Sequence, residues 1–236
     1  MNNGLDQLVS FIKKVQKMAE TQYGEFELKN HGFYSCNLFD SLPTHHEMII
    51  IGLNLGGDPL KETFDNANEC NFFLENPLYN EYLHANYKFI TSVRKLFRIS
   101  FGDEYYKAFL YKTFGWNLCP YRHINPWSRI DNESQTQGFN AGFPILEEIV
   151  SQVKPKLILS TVGAFNHIKS KIGLNIEPSQ LVIQKGIYYY RLENVQVNNF
   201  SIKKFIGIPH LSNAHINESG WKKFGNYLKN DYLEFL

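Results

Sequence analysis

Three short stretches of this chain set polar side chains directly after apolar runs, where chemistry could be done. They are Gly52-Leu53-Asn54-Leu55-Gly56-Gly57, Trp116-Asn117-Leu118-Cys119-Pro120 and Pro209-His210-Leu211-Ser212-Asn213. The first joins an amide to a glycine-rich turn, and glycine lets the backbone approach a ligand closely. Asn54 and Asn117 each carry a donor and an acceptor, and a neutral His210 imidazole can still donate. Singly, such residues are ordinary turn formers. Together they carry more weight, because each closes a run that reads as a buried strand. In open parallel sheets, ligands bind beyond the carboxyl ends of the strands.

The elements that must position them follow from periodicity. Met48 to Leu53 and Leu157 to Val162 are continuous apolar runs, the mark of strands buried on both faces. Lys112 to Leu118 and Phe205 to Ile208 read as further strands, and Val182 to Leu192 as a hairpin around Lys185-Gly186. Leu5, Leu8, Val9, Ile12, Val15 and Ala19 recur at helical spacing, predicting a helix over about 4–20 with Asn3 as its cap. Helices are also expected within 76–100, near 103–110, over Pro144 to Val153, from Gly163 onward and over Trp221 to Leu228. Strands alternating with helices imply an α/β fold, a three-layer α/β/α sandwich around a mainly parallel sheet of about four strands. No linker and no repeat interrupts it, so 1–236 reads as a single domain.

Composition narrows the possible functions. With 43% hydrophobic and 20% charged residues, neither a disordered nor a collagen-like chain is expected. The 24 Lys+Arg against 23 Asp+Glu leave a net charge of +1, which excludes a coat on nucleic acid but not a local basic face. Cys36, Cys70 and Cys119 form no CxxC pair, so a zinc ribbon or four-thiolate iron–sulfur cluster is not expected. His45 and His46 are adjacent and the remaining histidines scattered, without ligand spacing, so no metal or cofactor is expected. The amino terminus lacks a basic region followed by an apolar core, and no apolar run is long enough to span a bilayer. A cytoplasmic setting without membrane or protein partners is expected.

The ordered set of motifs resembles the uracil-DNA glycosylase superfamily over roughly Met48 to Trp221. Gly52-Leu53-Asn54-Leu55-Gly56 is similar to its first motif in the Asn form, Gly-Ile-Asn-Pro-Gly. Leu146 to Gly163, through Lys154-Pro155, resembles its helix, Lys-Pro, strand and Gly. His210-Leu211-Ser212 is similar to His-Pro-Ser, with Leu in place of Pro. The resemblance implies a monofunctional DNA glycosylase: no lysine falls in a motif, so no lyase step is indicated. Asn54 would position the attacking water and Asn117 would hydrogen-bond the pyrimidine edge. His210 would stabilise charge at the base O2, and Ser212 would hold a phosphate. Gly52, Leu53, Leu55 and Gly56 would line the pocket. Phe64, Phe72 or Phe73 would stack on the base, and spacing does not choose among them.

Strict uracil enzymes of this superfamily carry a Tyr after the first motif that blocks the pyrimidine 5-position. Leu55, Gly56 and Gly57 stand here instead. A 5-modified pyrimidine, such as a hypermodified base of phage DNA, therefore becomes a candidate substrate beside uracil. Superfamily members acting on such bases serve in antiviral defence. Asn117 alone decides nothing, since opposite flips of its amide suit uracil or cytosine. For DNA contact, the expectation is a loop over Pro120 to Arg129 with Arg122 on phosphate, or an ordinary loop whose Trp127 packs inward. Leu211 is expected as a wedge into the duplex, beside Asn213, with Lys222 and Lys223 on phosphate. A reading of another class is a non-catalytic nucleotide-binding module cradling its ligand at Gly52 to Gly57. A phosphotransferase is not expected, because no Gly-Lys-Ser/Thr loop exists.

Overall fold

A computed structural model describes residues 3–23, 30–36, 47–54, 79–123, 125–197, 200–212 and 214–234. Helix α1 spans Asn3–Tyr23, so Asn3 is its first residue rather than its cap. Strands β1 (Phe33–Cys36) and β2 (Met48–Asn54) follow. Where one helical period was expected, two helices form, α2 (Glu81–His84) and α3 (Lys88–Phe101). Arg94 holds the break by donating to the carbonyls of Leu83 (2.9 Å) and Ala85 (2.7 Å) and to Asn86 Oδ1 (2.8 Å). Next come α4 (Tyr106–Tyr111), β3 (Thr113–Cys119) and β4 (Tyr121–His123).

Helix α5 (Asn132–Val153) starts twelve residues before the expected Pro144, which lies inside it. Asp131 caps it, accepting from Ser134 N at 2.8 Å. Its glycines are contact points rather than breaks: a Cβ on Gly142 would lie 1.9 Å from the Leu118 carbonyl oxygen of β3. Strand β5 (Leu157–Thr161), α6 (Val162–Lys171), β6 (Ser179–Gln184), β7 (Ile187–Val197), β8 (Phe200–Ile208) and α7 (Glu218–Leu233) complete the order.

The main sheet has six strands in the order β3-β2-β5-β8-β7-β6, and β1 pairs with β4 in a separate two-stranded sheet. From β3 to β8 all pairings are parallel, while β8-β7 and β7-β6 are antiparallel. The expected four strands are thus the parallel portion, and the hairpin adds two more because β8 begins at Phe200 and pairs with β7. Met48, Ile50, Leu157, Leu159 and Ile206 share a core with α3 and α7. Ile49, Ile51, Ile158 and Phe205 belong to the opposite core, with α1, α5 and α6. Alternation along each strand separates the two sets.

A buried ionic cluster fastens α7 to this sheet. Asp231, fully buried, accepts from Tyr189 Oη (2.5 Å) and Arg191 (2.9 Å), and Lys204 bridges to Glu193 (2.6 Å) and Glu234 (2.7 Å). Tyr232 donates to Glu47, just before β2. The segment carrying His210 is therefore held at both ends, by β8 and by α7. No helix among the described residues is long and apolar enough to cross a membrane.

Candidate functional site

The four parallel strands end on one edge of the sheet. Gly52 of β2 pairs with Asn117 of β3, and Ile51 with Ser160 of β5. Thr161 then pairs with Ile208 of β8. Moving the Ile51–Ser160 pairing on by one residue puts Thr161 beside Gly52. Asn117, Gly52, Thr161 and Ile208 thus form one row across four strands, continuing the face that packs on α3 and α7. Gly52 is required here: a Cβ on it would stand 2.2 Å from Asn117 Oδ1. The Asn117 amide leans across β2, over the bare glycine.

Beyond the row lie Asn54 and His210. Asn54 is the last residue of β2, opposite Cys119 in register. Cys119 is buried, its thiol pushed up to about 12 by that burial, and Sγ donates to the Tyr121 carbonyl at 3.6 Å. It therefore stays protonated near neutrality and offers no nucleophile. His210 is half-buried, its ring tilted against Phe89 at the start of α3 with centroids 5.7 Å apart. Burial lowers its pKa below the ordinary histidine value, so the ring is neutral at pH 7. Its Nδ1 is buried and has no hydrogen-bond partner among the described residues.

Residues of α2, its flanks and the start of α3 lie against the two sides of this edge. Burial pushes the Glu81 carboxyl up, only partly offset by the Tyr87 hydroxyl and the charge of Arg122. Tyr87 Oη donates to Glu81 at 2.6 Å, and His84 stacks on Tyr79. Glu81 thus stands near Arg122 of β4, and Phe89 packs on His210.

Gly52 and Asn117 touch on this sheet edge, and His210 lies on the same edge, past β8 and three strands from Asn117, with Leu53 half-buried against Gly163. Leu55, Gly56, Phe64, Phe72, Phe73 and Asn213 lie outside the described residues. Two DNA-contact expectations are corrected. Leu211 is 2% exposed and belongs to the core with Ile208, Trp221 and Phe224, so its apolar side chain plugs the protein instead of wedging outward. Arg122 is not on a loop: it lies in β4, 8% exposed, opposite Ser35. Lys222 is exposed and pairs with Glu218 one turn away at 3.0 Å, while Ser212 is half-buried. Trp127 packs inward on Phe139, centroids 4.8 Å apart. Sequence reasoning missed Phe89 and Thr161. Phe89 gives a helical signal only, and Thr161 is an ordinary strand former.

His167 extends that inner stack, 4.4 Å from Phe139, and burial with the nearby charge of Lys171 brings its pKa down to about 4. Unfolded histidine titrates at about 6.5, so the unfolded chain takes up protons first on acidification. The stability contributed by neutral His167 is complete above about pH 6.5 and is lost as pH falls toward 4, and His210, also lowered by burial, acts in the same direction. Calorimetry should show Tm falling across that window, and less steeply in His167→Phe. An unchanged slope in the variant would remove His167 from the account.

Among the described residues no three His, Cys, Asp or Glu side chains gather as a metal site. Comparison of the chain with family models and with curated proteins finds no match.

Proposed function

We propose that this chain is a monofunctional DNA glycosylase that hydrolyses the N-glycosidic bond of a flipped pyrimidine, with 5-modified pyrimidines inside its range. The observation that supports this best is the presence, on one sheet edge, of an Asn117 amide leaning over bare Gly52 and of a neutral His210 whose buried Nδ1 has no hydrogen-bond partner among the described residues. The first suits the polar edge of a base, the second the charge that its departure creates.

In the proposed reaction the C1′–N1 bond breaks and its electron pair leaves with the base. Water adds to C1′, and the proton it sheds ends on the released base. Asn54 orients that water; an amide is no useful base near neutrality, so its part is positional. His210 donates to the forming anion, and preorganised donors of this kind dominate rates. Extruding the base costs a few kcal/mol, recovered by stacking and edge hydrogen bonds. Ser212, in the turn after β8, is proposed to hold phosphate, with Lys222 of α7 as a cation for it. The open 5-position rests on Leu55, Gly56 and Gly57.

The test is mass spectrometry of free base after incubation with duplexes carrying uracil, cytosine and 5-substituted pyrimidines. Release that disappears in Asn54→Ala supports the proposal. Tight nucleotide binding without release would favour the non-catalytic module, and release of unsubstituted uracil alone would remove the 5-modified substrates. Gly52→Ala adds a sharper check. Its methyl meets the mobile end of a side chain, so the Asn117 amide must swing aside while the strands stay paired. Release should fall about 10²-fold with little change in Tm; unaltered release would detach Asn117 from the base.

A further inference from the structure

Five serines and threonines are buried among the described residues: Ser100, Thr113, Ser134, Ser160 and Thr161. Four donate their hydroxyl inside the protein. Ser100 reaches the Leu96 carbonyl (2.8 Å), Thr113 that of Phe109 (2.9 Å), Ser160 that of Ile206 (3.2 Å), and Ser134 reaches Asp131 (2.7 Å). Thr161 is the exception. It is 2% exposed, and Oγ1 is buried with no partner among the described residues. It stands at the N-cap of α6 yet makes no capping bond. Buried polar groups are almost always satisfied, so an exception calls for an explanation, and at a strand end, where ligands bind in open parallel sheets, a ligand supplies one.

Its place says which ligand. Thr161 is one strand from Gly52, and the Asn117 amide leans over Gly52 toward it. On its other side is Ile208, two residues before His210, whose Nδ1 is the second orphan on this edge. We propose that the Thr161 hydroxyl contacts the polar edge of the flipped base, completing with Asn117 a two-point floor beneath it. This inference rests on the glycosylase reading. A hydroxyl accepts from N3–H of uracil and donates to unprotonated N3 of cytosine. It selects a polar base edge and leaves the 5-position untouched.

Thr161→Val replaces the hydroxyl with a methyl of the same shape, and Thr161→Ser keeps the hydroxyl. In Thr161→Val, kcat/KM for base release should fall about tenfold, the scale of one neutral hydrogen bond. The loss should be equal for every 5-substituent tested, and Thr161→Ser should recover most of it. Tm of Thr161→Val should hold or rise, because an orphaned hydroxyl is lost. A Tm lowered by several degrees would make the hydroxyl structural and overturn the proposal. Wild-type release matched by Thr161→Val would also overturn it, leaving the glycosylase reading intact. Free uracil and cytosine, followed by NMR titration, separate the remaining cases. Base binding without release, weakened in Thr161→Val, would retain the floor and discard the glycosylase. Neither binding nor release would discard both.

Discussion

Replacing His210 by alanine is expected to slow base release by about 10²–10³. On the proposed reaction the loss should fall on kcat, with KM little changed, because the charge assigned to His210 would exist only as the glycosidic bond breaks. The ring's known contact is one tilted face against Phe89, and its Nδ1 spends no hydrogen bond within the described residues. Truncation therefore removes chemistry far more than structure, and the variant should fold. Single-turnover release from a uracil duplex measures the effect. A His210→Ala enzyme within a few-fold of wild type would mean that the charge is met elsewhere, and His210→Gln, which keeps a donor, should be less impaired.

Gly142→Ala should have the largest effect on stability. The new methyl would lie 1.9 Å from the Leu118 carbonyl oxygen and 2.8 Å from Pro120 Cδ. Here backbone meets backbone, and no rotamer relieves the clash. Helix α5 must back away from β3, loosening the core on both sides of the contact. Overpacking of this kind costs about 3 kcal/mol or more, a fall in Tm of about 6–12 °C for a chain of this size. Gly173→Ala is the comparison: its φ is +68 but nothing lies within 4 Å of the added carbon, so only conformational strain of about 1–2 kcal/mol is incurred. Equal losses in the two variants would contradict the contact argument.

These cases show which physical information the sequence carries. Strands buried on both faces are legible because they need unbroken apolar runs, as in Met48 to Leu53 and Leu157 to Val162. The first half of β8 was hidden by Lys203 and Lys204. Lys203 is exposed, but Lys204 is buried through charge pairing with Glu193, Asp231 and Glu234, partners distant in sequence. The first half of α5 was hidden by Gly138, Gly142 and Pro144, residues that read as punctuation. The two glycines instead allow the helix to touch β3 and Phe33. At the site, Asn117 and His210 stood out as polar types closing apolar strands. Arg122 and Leu211 were misplaced because side-chain type reports chemistry, not depth. Thr161 could not be singled out at all: its distinction is a missing partner, which exists only in three dimensions.

The sheet order also bears on how the protein is made. Strands β6, β7 and β8 are consecutive in the chain and pair as neighbours, so they close short loops. The parallel pairs that gather Asn117, Gly52 and Thr161 join segments separated by scores of residues. Contacts of that kind form late, since loop-closure entropy is lost before they repay it. The edge on which chemistry is proposed is therefore expected in the slowest part of the sheet to assemble. A nascent or partly refolded chain would have its antiparallel meander in place and an incomplete floor, so binding or release of a base would report the finished molecule alone.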